Sequence, residues 1–479
     1  MAALGALGVA AVLTVAAAVA SPADEAEAHT RRRWRRTTTT AVAPTTPSTV
    51  NATTTTARPI PTTTTSPGPT TTGPAPTTTT SPAPTTTSTA PSTPGGQLRP
   101  LDGGPQYYSK WANSFPSDPG YFPVAVWAET LADPARIGRY RDLGINTFTN
   151  LWNGPTPEVM QQLKANGMYG VSDSPDSSLT AQFNSAWGNT LAGRYFFDEA
   201  DGRNVCGDLS ESWLRPLCAT TADGRTSASS IAAMANEVRR RDPTRPIYGQ
   251  YTKPVAIGEG LNEAQRRAYI DAVDIVSYDW YVMTDPWGSA GQLWQQHDAV
   301  RDVRRLGSYA HPVWPFIETS PVFENGTYRP TGPEVAAEVW NSLIGGARGI
   351  QYFNHNFSPR DTSGMVLLDS RFADVAASVK DVNGKIRQLA PVLNSPFLEG
   401  YATSTAQLNL MAKAAGSGVH VFAAPRSRTA QTATIRLAGV ANATATVLFE
   451  NRTIPVVNGQ FVDTFANHTT VHVYRIDPA

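Results

Sequence analysis

Between residues 122 and 354 the chain carries eight short apolar runs, at 122–127, 145–152, 168–172, 194–199, 246–251, 274–281, 313–318 and 349–354. Each is too short for a helix and too continuously apolar for a strand with one wet face. They read as strands of a parallel sheet buried on both sides. The stretches between them are helical in pattern. Residues 232–241 place apolar side chains at helical spacing and finish in arginines, which suits the negative end of a helix dipole. Thr331 and Glu334 have the spacing of a capping box, with Pro333 at an early helical position. Eight strand–helix units in about 290 residues is the arithmetic of a (β/α)8 barrel. Beyond Leu398 the period changes to two, in runs at 408–412, 419–423, 433–437, 446–450 and 470–476 separated by Gly, Asn and Ser. The expected fold class is α/β: a TIM barrel over 101–395 followed by a small antiparallel β-sandwich over 396–479.

The first hundred residues have another texture. Residues 1–20 are almost wholly Ala, Val, Leu and Gly, and Ala18, Val19 and Ala20 before Ser21 match a small-residue cleavage site. Residues 1–30 are thus expected to be a signal peptide, the rival being a retained membrane anchor of just spanning length. The basic run Arg31, Arg32, Arg33, Trp34, Arg35, Arg36 reads as a solvated charge run or as a tether to a membrane or an acidic cell-wall polymer. From Thr37 to Pro94 the chain is nearly all Thr, Pro, Ser and Ala. Such a sequence has almost nothing to bury, so 31–100 is expected to be a disordered linker, able to extend about 180 Å and suited to O-glycosylation. Two cysteines exclude zinc-ribbon and iron–sulfur spacings. Cys206 and Cys218, close together in a Gly-, Asp- and Arg-rich segment, are expected to form a loop disulfide, which fits a secreted or cell-surface protein. With 39 basic and 39 acidic residues the chain offers no concentrated positive surface, and no nucleic-acid partner is expected.

Barrel enzymes draw their chemistry from the carboxyl ends of the strands. Two runs end in carboxylates: Tyr195, Phe196 and Phe197 lead into Asp198, Glu199 and Asp201, and 313–317 leads into Glu318. The other strand ends supply Trp127 and Glu129, Asn150 and Trp152, Asp173, Gln250, then Tyr278, Asp279, Trp280 and Tyr281, and finally Asn354 and His355. Aromatic faces with amides and carboxylates suit a sugar, whose C–H faces stack on rings while its hydroxyls take directional hydrogen bonds. There is no glycine-rich phosphate loop with a lysine and no HExxH motif, so neither cofactor nor metal is expected, and His355 reads as a polar pocket residue. Asp198 and Asp201 should discourage Glu199 from ionising and raise its pKa toward that of a general acid. The blander reading of Glu199 and Glu318 is a strand-end ion pair with one of the many arginines, and Glu129 and Glu324 compete for the role of Glu318. Lys253 is placed for a Schiff base, a reading that an exported, stalked protein makes poor.

A carboxylate closing the fourth strand and another closing the seventh, in an eight-unit barrel, resembles the clan A glycoside hydrolases over roughly residues 105–395. The resemblance implies Glu199 as acid/base and Glu318 as nucleophile, with Tyr281 or Tyr278 orienting the latter. The clan usually has asparagine before the acid/base; here Asp198 stands there. The resemblance implies hydrolysis of O-glycosyl bonds with retention, on a carbohydrate such as an envelope polysaccharide. The alternative is a barrel without catalysis that binds such a polysaccharide.

Overall fold

The computed structural model describes residues 95–127, 134–151, 154–173, 186–285, 291–322, 328–356, 365–416 and 418–478. The signal or anchor, the basic run and the Thr/Pro-rich stretch to residue 94 lie outside the described residues, as do Glu129, Trp152 and Glu324. No helix among the described residues is long and apolar enough to cross a membrane.

In chain order the strands are β1 (Gln97–Arg99), β2 (Val124–Trp127), β3 (Thr147–Thr149), β4 (Tyr169–Ser172), β5 (Leu191–Arg194), β6 (Tyr248–Tyr251), β7 (Ile275–Tyr278), β8 (Val313–Glu318) and β9 (Ile350–Phe353). The helices between and after them are α1 (Pro134–Asp142), α2 (Pro157–Ala165), α3 (Ala228–Arg241), α4 (Lys253–Ile257), α5 (Glu263–Ile270), α6 (Trp294–Leu306), α7 (Gly332–Gly345) and α8 (Ala373–Leu393). Strands β2 to β9 form one sheet in the order β5-β4-β3-β2-β9-β8-β7-β6, every described pairing parallel. Two single parallel bridges, Arg194 to Ile247 and Asp198 to Gln250, join β5 to β6 and close the barrel.

Side chains alternate between a barrel interior and a helix-facing layer. Trp127, Val171, Ala192, Tyr195, Tyr248, Ile275, Trp314, Phe316 and Phe353 fill the interior, with Phe115 wedged against Trp314 at a centroid distance of 5.2 Å. One polar cluster sits among them: Thr149 and Tyr248 both donate to Gln351 Oε1, at 2.5 and 2.9 Å. The fourth unit departs from expectation. The regular strand is Leu191–Arg194, upstream of the aromatic run, and 195–197 lie outside it. Phe196 and Phe197 are consecutive yet pack into the same helix-side cluster, which breaks the alternation a strand requires. Asp198 then returns to the sheet through its single bridge.

The remaining strands are β10 (Phe397–Glu399), β11 (Ala402–Ser404), β12 (Leu408–Ala415), β13 (Gly418–Pro425), β14 (Gln431–Leu437), β15 (Ala443–Val447), β16 (Arg452–Val456), β17 (Gln460–Phe465) and β18 (His472–Pro478). They form a seven-stranded sheet, β1-β10-β12-β13-β18-β15-β16, and a three-stranded one, β11-β14-β17, with antiparallel pairings. Val421, Ala445 and Tyr474 from the first meet Ile435, Phe461 and Phe465 from the second in one core, a β-sandwich. It is anchored to the barrel through α7, where Trp340 faces Phe422 and Asn409 donates to Asn341 Oδ1 at 2.8 Å.

Candidate active site

The acids after β5 divide at once into different environments. Asp201 is fully buried and accepts from the backbone N–H groups of Thr252 and Val255, both at 2.9 Å, which caps α4 at its first turn. Burial pushes it up to about 6, against the pull of those two N–H groups. Asp198 faces Arg203, whose Nη2 lies 3.2 Å from one carboxylate oxygen, while its other oxygen is buried without a hydrogen-bond partner. Glu199 occupies the left-handed region, with φ of 57°. For a residue with a Cβ that conformation costs on the order of 1 kcal/mol and persists only where surrounding contacts hold it. Here the Glu199 N–H is held by Gln250 through both its side-chain Oε1 (2.8 Å) and its backbone carbonyl (3.2 Å), and the Glu199 carbonyl accepts from Gly202 and Arg203. Asn150, at the end of β3, has φ of 50° and is the other left-handed non-glycine at a described strand end of the mouth.

The Glu199 carboxyl is pushed up to about 7, first by burial and then by Asp198; Arg203, with Nε 3.6 Å away, and a hydrogen bond with Asp279 pull it back. Asp279 follows β7 and is held well above the usual carboxylate range by burial and by Glu199 itself. Arg203, just ahead of the loop that the disulfide closes, reaches Asp198, Glu199 and Asp208 at once, the last from within that loop. That bridge is present between Cys206 and Cys218, with Cα atoms 5.5 Å apart.

Glu318 ends β8 on the interior side, in step with Trp314 and Phe316. It is fully buried. One carboxylate oxygen accepts from the Met283 N–H, and the other from the Thr284 N–H (2.9 Å) and hydroxyl (2.6 Å). Burial pushes Glu318 up to about 8, three donors restrain the rise, and Asp285 adds to it. Behind it Glu338, also fully buried, accepts from Gln296 Nε2 at 3.1 Å and from the Glu318 backbone. Tyr281 stands among the acids: burial raises its hydroxyl strongly, and Asp279, Glu199, Glu318 and Asp198 all add to that rise.

The other expected site residues separate by direction. Trp127 lies inside, its ring edge-on to Tyr195 and Phe316, and its carbonyl accepts from His355 Nε2 at 3.2 Å. Tyr281 packs on Phe353, and Asp173 is half-buried beside the Ser172 hydroxyl. Gln250 is buried and used up by the backbone, accepting from Glu199 N–H and donating to the Tyr251 carbonyl. Tyr278 is turned into the helix layer, where its hydroxyl donates to Gln296 Oε1 at 3.1 Å, so of the two tyrosines only Tyr281 is among the acids. Trp280 sits in that same layer. Asn354 is turned outward as well, donating to the Tyr140 hydroxyl and accepting from the Leu367 N–H. One reason covers these three placements: in runs apolar on both faces, sequence does not say which parity points inward. Lys253 is paired with Asp285 at 3.0 Å, which ties up the amine a Schiff base would need. Arg203, Asp285 and the Met283–Thr284 donors were not singled out from sequence. Arg203 alone left a signal, as the first cation after a run of acids. Among the described residues no three His, Cys, Asp or Glu side chains converge as a metal site requires.

No family model matches the chain, and no curated protein does. Solved structures similar to it include an α-amylase from Geobacillus thermoleovorans complexed with acarbose, at 10% identity and a TM-score of 0.43, covering 74% of this chain and 98% of that one. A family 42 β-galactosidase from G. stearothermophilus is 8% identical with a TM-score of 0.48, over 74% and 98% of the two chains. A family 30 xylanase from Clostridium acetobutylicum is 11% identical with a TM-score of 0.41, over 77% and 98%. At these identities the assignment of the fold rests on the strand order itself.

Proposed function

We propose that the protein is a secreted or cell-surface glycoside hydrolase acting with retention of configuration, Glu199 as acid/base and Glu318 as nucleophile. The observation that carries this reading is Glu199: a carboxyl fixed in a left-handed conformation at the barrel seam, crowded by other acids and titrating at about 7. A group with that pKa gives and takes a proton at neutral pH with equal ease. In the first step Glu318 in its ionised form, the minor one at neutral pH for a carboxyl pushed up to about 8, attacks the anomeric carbon and Glu199 gives its proton to the departing oxygen. In the second Glu199 takes a proton from water, which displaces Glu318 from the sugar. Trp127 and Tyr281 supply ring faces, and the partnerless oxygen of Asp198 supplies an acceptor for a sugar hydroxyl.

One observation favours the second reading, a barrel that binds polysaccharide without cleaving it: Glu318 is sealed beneath Met283 and Thr284. Attack by Glu318 requires that segment to withdraw. Variants separate the two readings, once a panel of nitrophenyl glycosides and polysaccharides has given a substrate. Glu199→Ala should spare substrates with acidic leaving groups and nearly abolish cleavage of natural glycosides, and azide should restore its turnover as a glycosyl azide of retained configuration. Glu318→Ala should lose activity on every substrate, since several kcal/mol of barrier lowering disappear with the covalent route. Binding of a polysaccharide with no cleavage by the unaltered protein would establish the second reading.

A further inference from the structure

At the far end of the barrel strands from the acids, a buried cation is left without a counter-charge. Arg348 precedes β9 and is 5% exposed. Its Nη1 donates to the backbone carbonyls of Asp102 and Gly104, the latter at 3.0 Å, and its Nε is buried with no hydrogen-bond partner. The acid beside it is already engaged: the Asp102 carboxylate pairs with Arg99 at 2.7 Å and with Arg304 through both Nε and Nη2. Among the described residues no carboxylate pairs with Arg348 itself. A guanidinium taken out of water needs an anion as well as neutral carbonyls.

Arg348 lines a cavity of about 20 Å³ between the segment 105–123 and Asn394. One water needs about 10–15 Å³ by the same measure, so there is room for a single occupant slightly larger than water. Two more donors face it. The hydroxyls of Tyr108 and Ser117 are buried in its wall without an acceptor. Trp314 stands against the Tyr108 oxygen, but an indole N–H only donates, so the Tyr108 hydrogen is still available. The Asn394 amide is spent on the carbonyls of Pro119 and Tyr121, at 2.9 and 2.8 Å. Asp118, the one acid in the wall, is exposed, and its Oδ1 accepts from the Gly120 N–H at 2.7 Å.

We infer that this cavity is a binding site for one small monoanion of halide size, held by Arg348 Nε and the hydroxyls of Tyr108 and Ser117. Every free polar hydrogen there points to an acceptor, and the charge to be matched is positive. A carboxylate or phosphate is too large for the space. The ion would tie the segment 105–123 to the base of β9 and so support the floor of the barrel, where Phe115 packs on Trp314. The site lies at the other end of the strands from Glu199 and Glu318, and it does not depend on the function proposed for them.

The test replaces gluconate by chloride at constant ionic strength and follows thermal unfolding of the full chain. The midpoint of the unaltered protein should rise by about 3 °C once chloride is in hundredfold excess over its dissociation constant, then level off, and bromide should act alike. Arg348→Gln should show no such rise. Should that variant not fold, Tyr108→Phe combined with Ser117→Ala keeps the guanidinium and removes two donors, and should need on the order of tenfold more chloride for half the rise. Crystals of the unaltered protein grown without halide and soaked in bromide should show an anomalous peak within hydrogen-bonding reach of Arg348 Nε. A midpoint that ignores chloride means that the cavity holds water, and overturns the inference even if a bromide peak appears, since that would be binding at crystal concentration only. A rise that persists in Arg348→Gln, an unchanged half-rise in the double variant, or a bromide peak only elsewhere would place the anion at another site and overturn it equally.

Discussion

Replacing Glu318 by Gln should change how the stability of the protein depends on pH. Glu318 titrates at about 8 in the folded protein against an ordinary 4.5. The folded state thus binds this proton more tightly than the unfolded chain does. The stabilisation it brings is fully present below pH 4.5 and is lost as the pH rises through 8. At 1.36 kcal/mol per pKa unit the whole window amounts to about 5 kcal/mol, of which about 3 kcal/mol falls between pH 5 and pH 8. Glu318→Gln removes the titration and adds an offset that does not vary with pH. One of the donors now facing Glu318, the Thr284 N–H or hydroxyl or the Met283 N–H, would meet an amide N–H, at a cost of about 1–3 kcal/mol. The variant should therefore be the less stable protein at pH 5 and should close or reverse the gap by pH 8. Urea-unfolding midpoints followed by tryptophan fluorescence at a series of pH values measure the gap directly. A gap that stays constant from pH 5 to pH 8 would refute the reasoning, since it would mean that Glu318 titrates alike in the folded and unfolded chains.

Arg203→Ala removes the cation beside Glu199 and Asp198, so Glu199 should titrate above 7 and the alkaline limb of kcat/KM should move to higher pH; a limb that does not move would detach Arg203 from the acid. Asp201→Ala leaves the Thr252 and Val255 N–H groups without their acceptor and should cost about 1–3 kcal/mol in thermal unfolding. An unchanged midpoint would contradict the capping role. Replacing Cys206 and Cys218 together by Ser opens a loop with a sequence separation of 12 and should cost about 3 kcal/mol by chain entropy. Unfolding in urea without reductant, compared with the unaltered protein, reads it.

Strand existence was legible because parallel strands buried on both faces leave an unbroken apolar signature, and each of the eight runs overlaps or adjoins an observed strand. The same signature hides orientation. Tyr278 and Tyr281 are equally plausible from sequence, and only the packing of β7 against α6 turns Tyr278 toward Gln296. In the fourth unit the aromatic run reads as one strand, whereas the barrel seam needs a break before Asp198 so that Glu199 can enter the left-handed region. The contacts that set the chemistry of the acids join segments remote in sequence: Met283 and Thr284 on Glu318, Gln250 on the Glu199 backbone, Asp279 on its carboxyl. The pairing of β1 with β10 across the whole barrel is of the same kind. The disulfide, by contrast, is local, and its short separation made it readable.

The central claim is that a glycosyl group is carried on Glu318 between two displacements, and the configuration of the first-formed sugar tests it most directly. Proton NMR spectra taken in the first minutes of hydrolysis, before mutarotation, show which anomer is released. The account predicts the same anomeric configuration as the substrate. Release of the inverted anomer would contradict it, because water would then have attacked the sugar directly and Glu318 could not have held it.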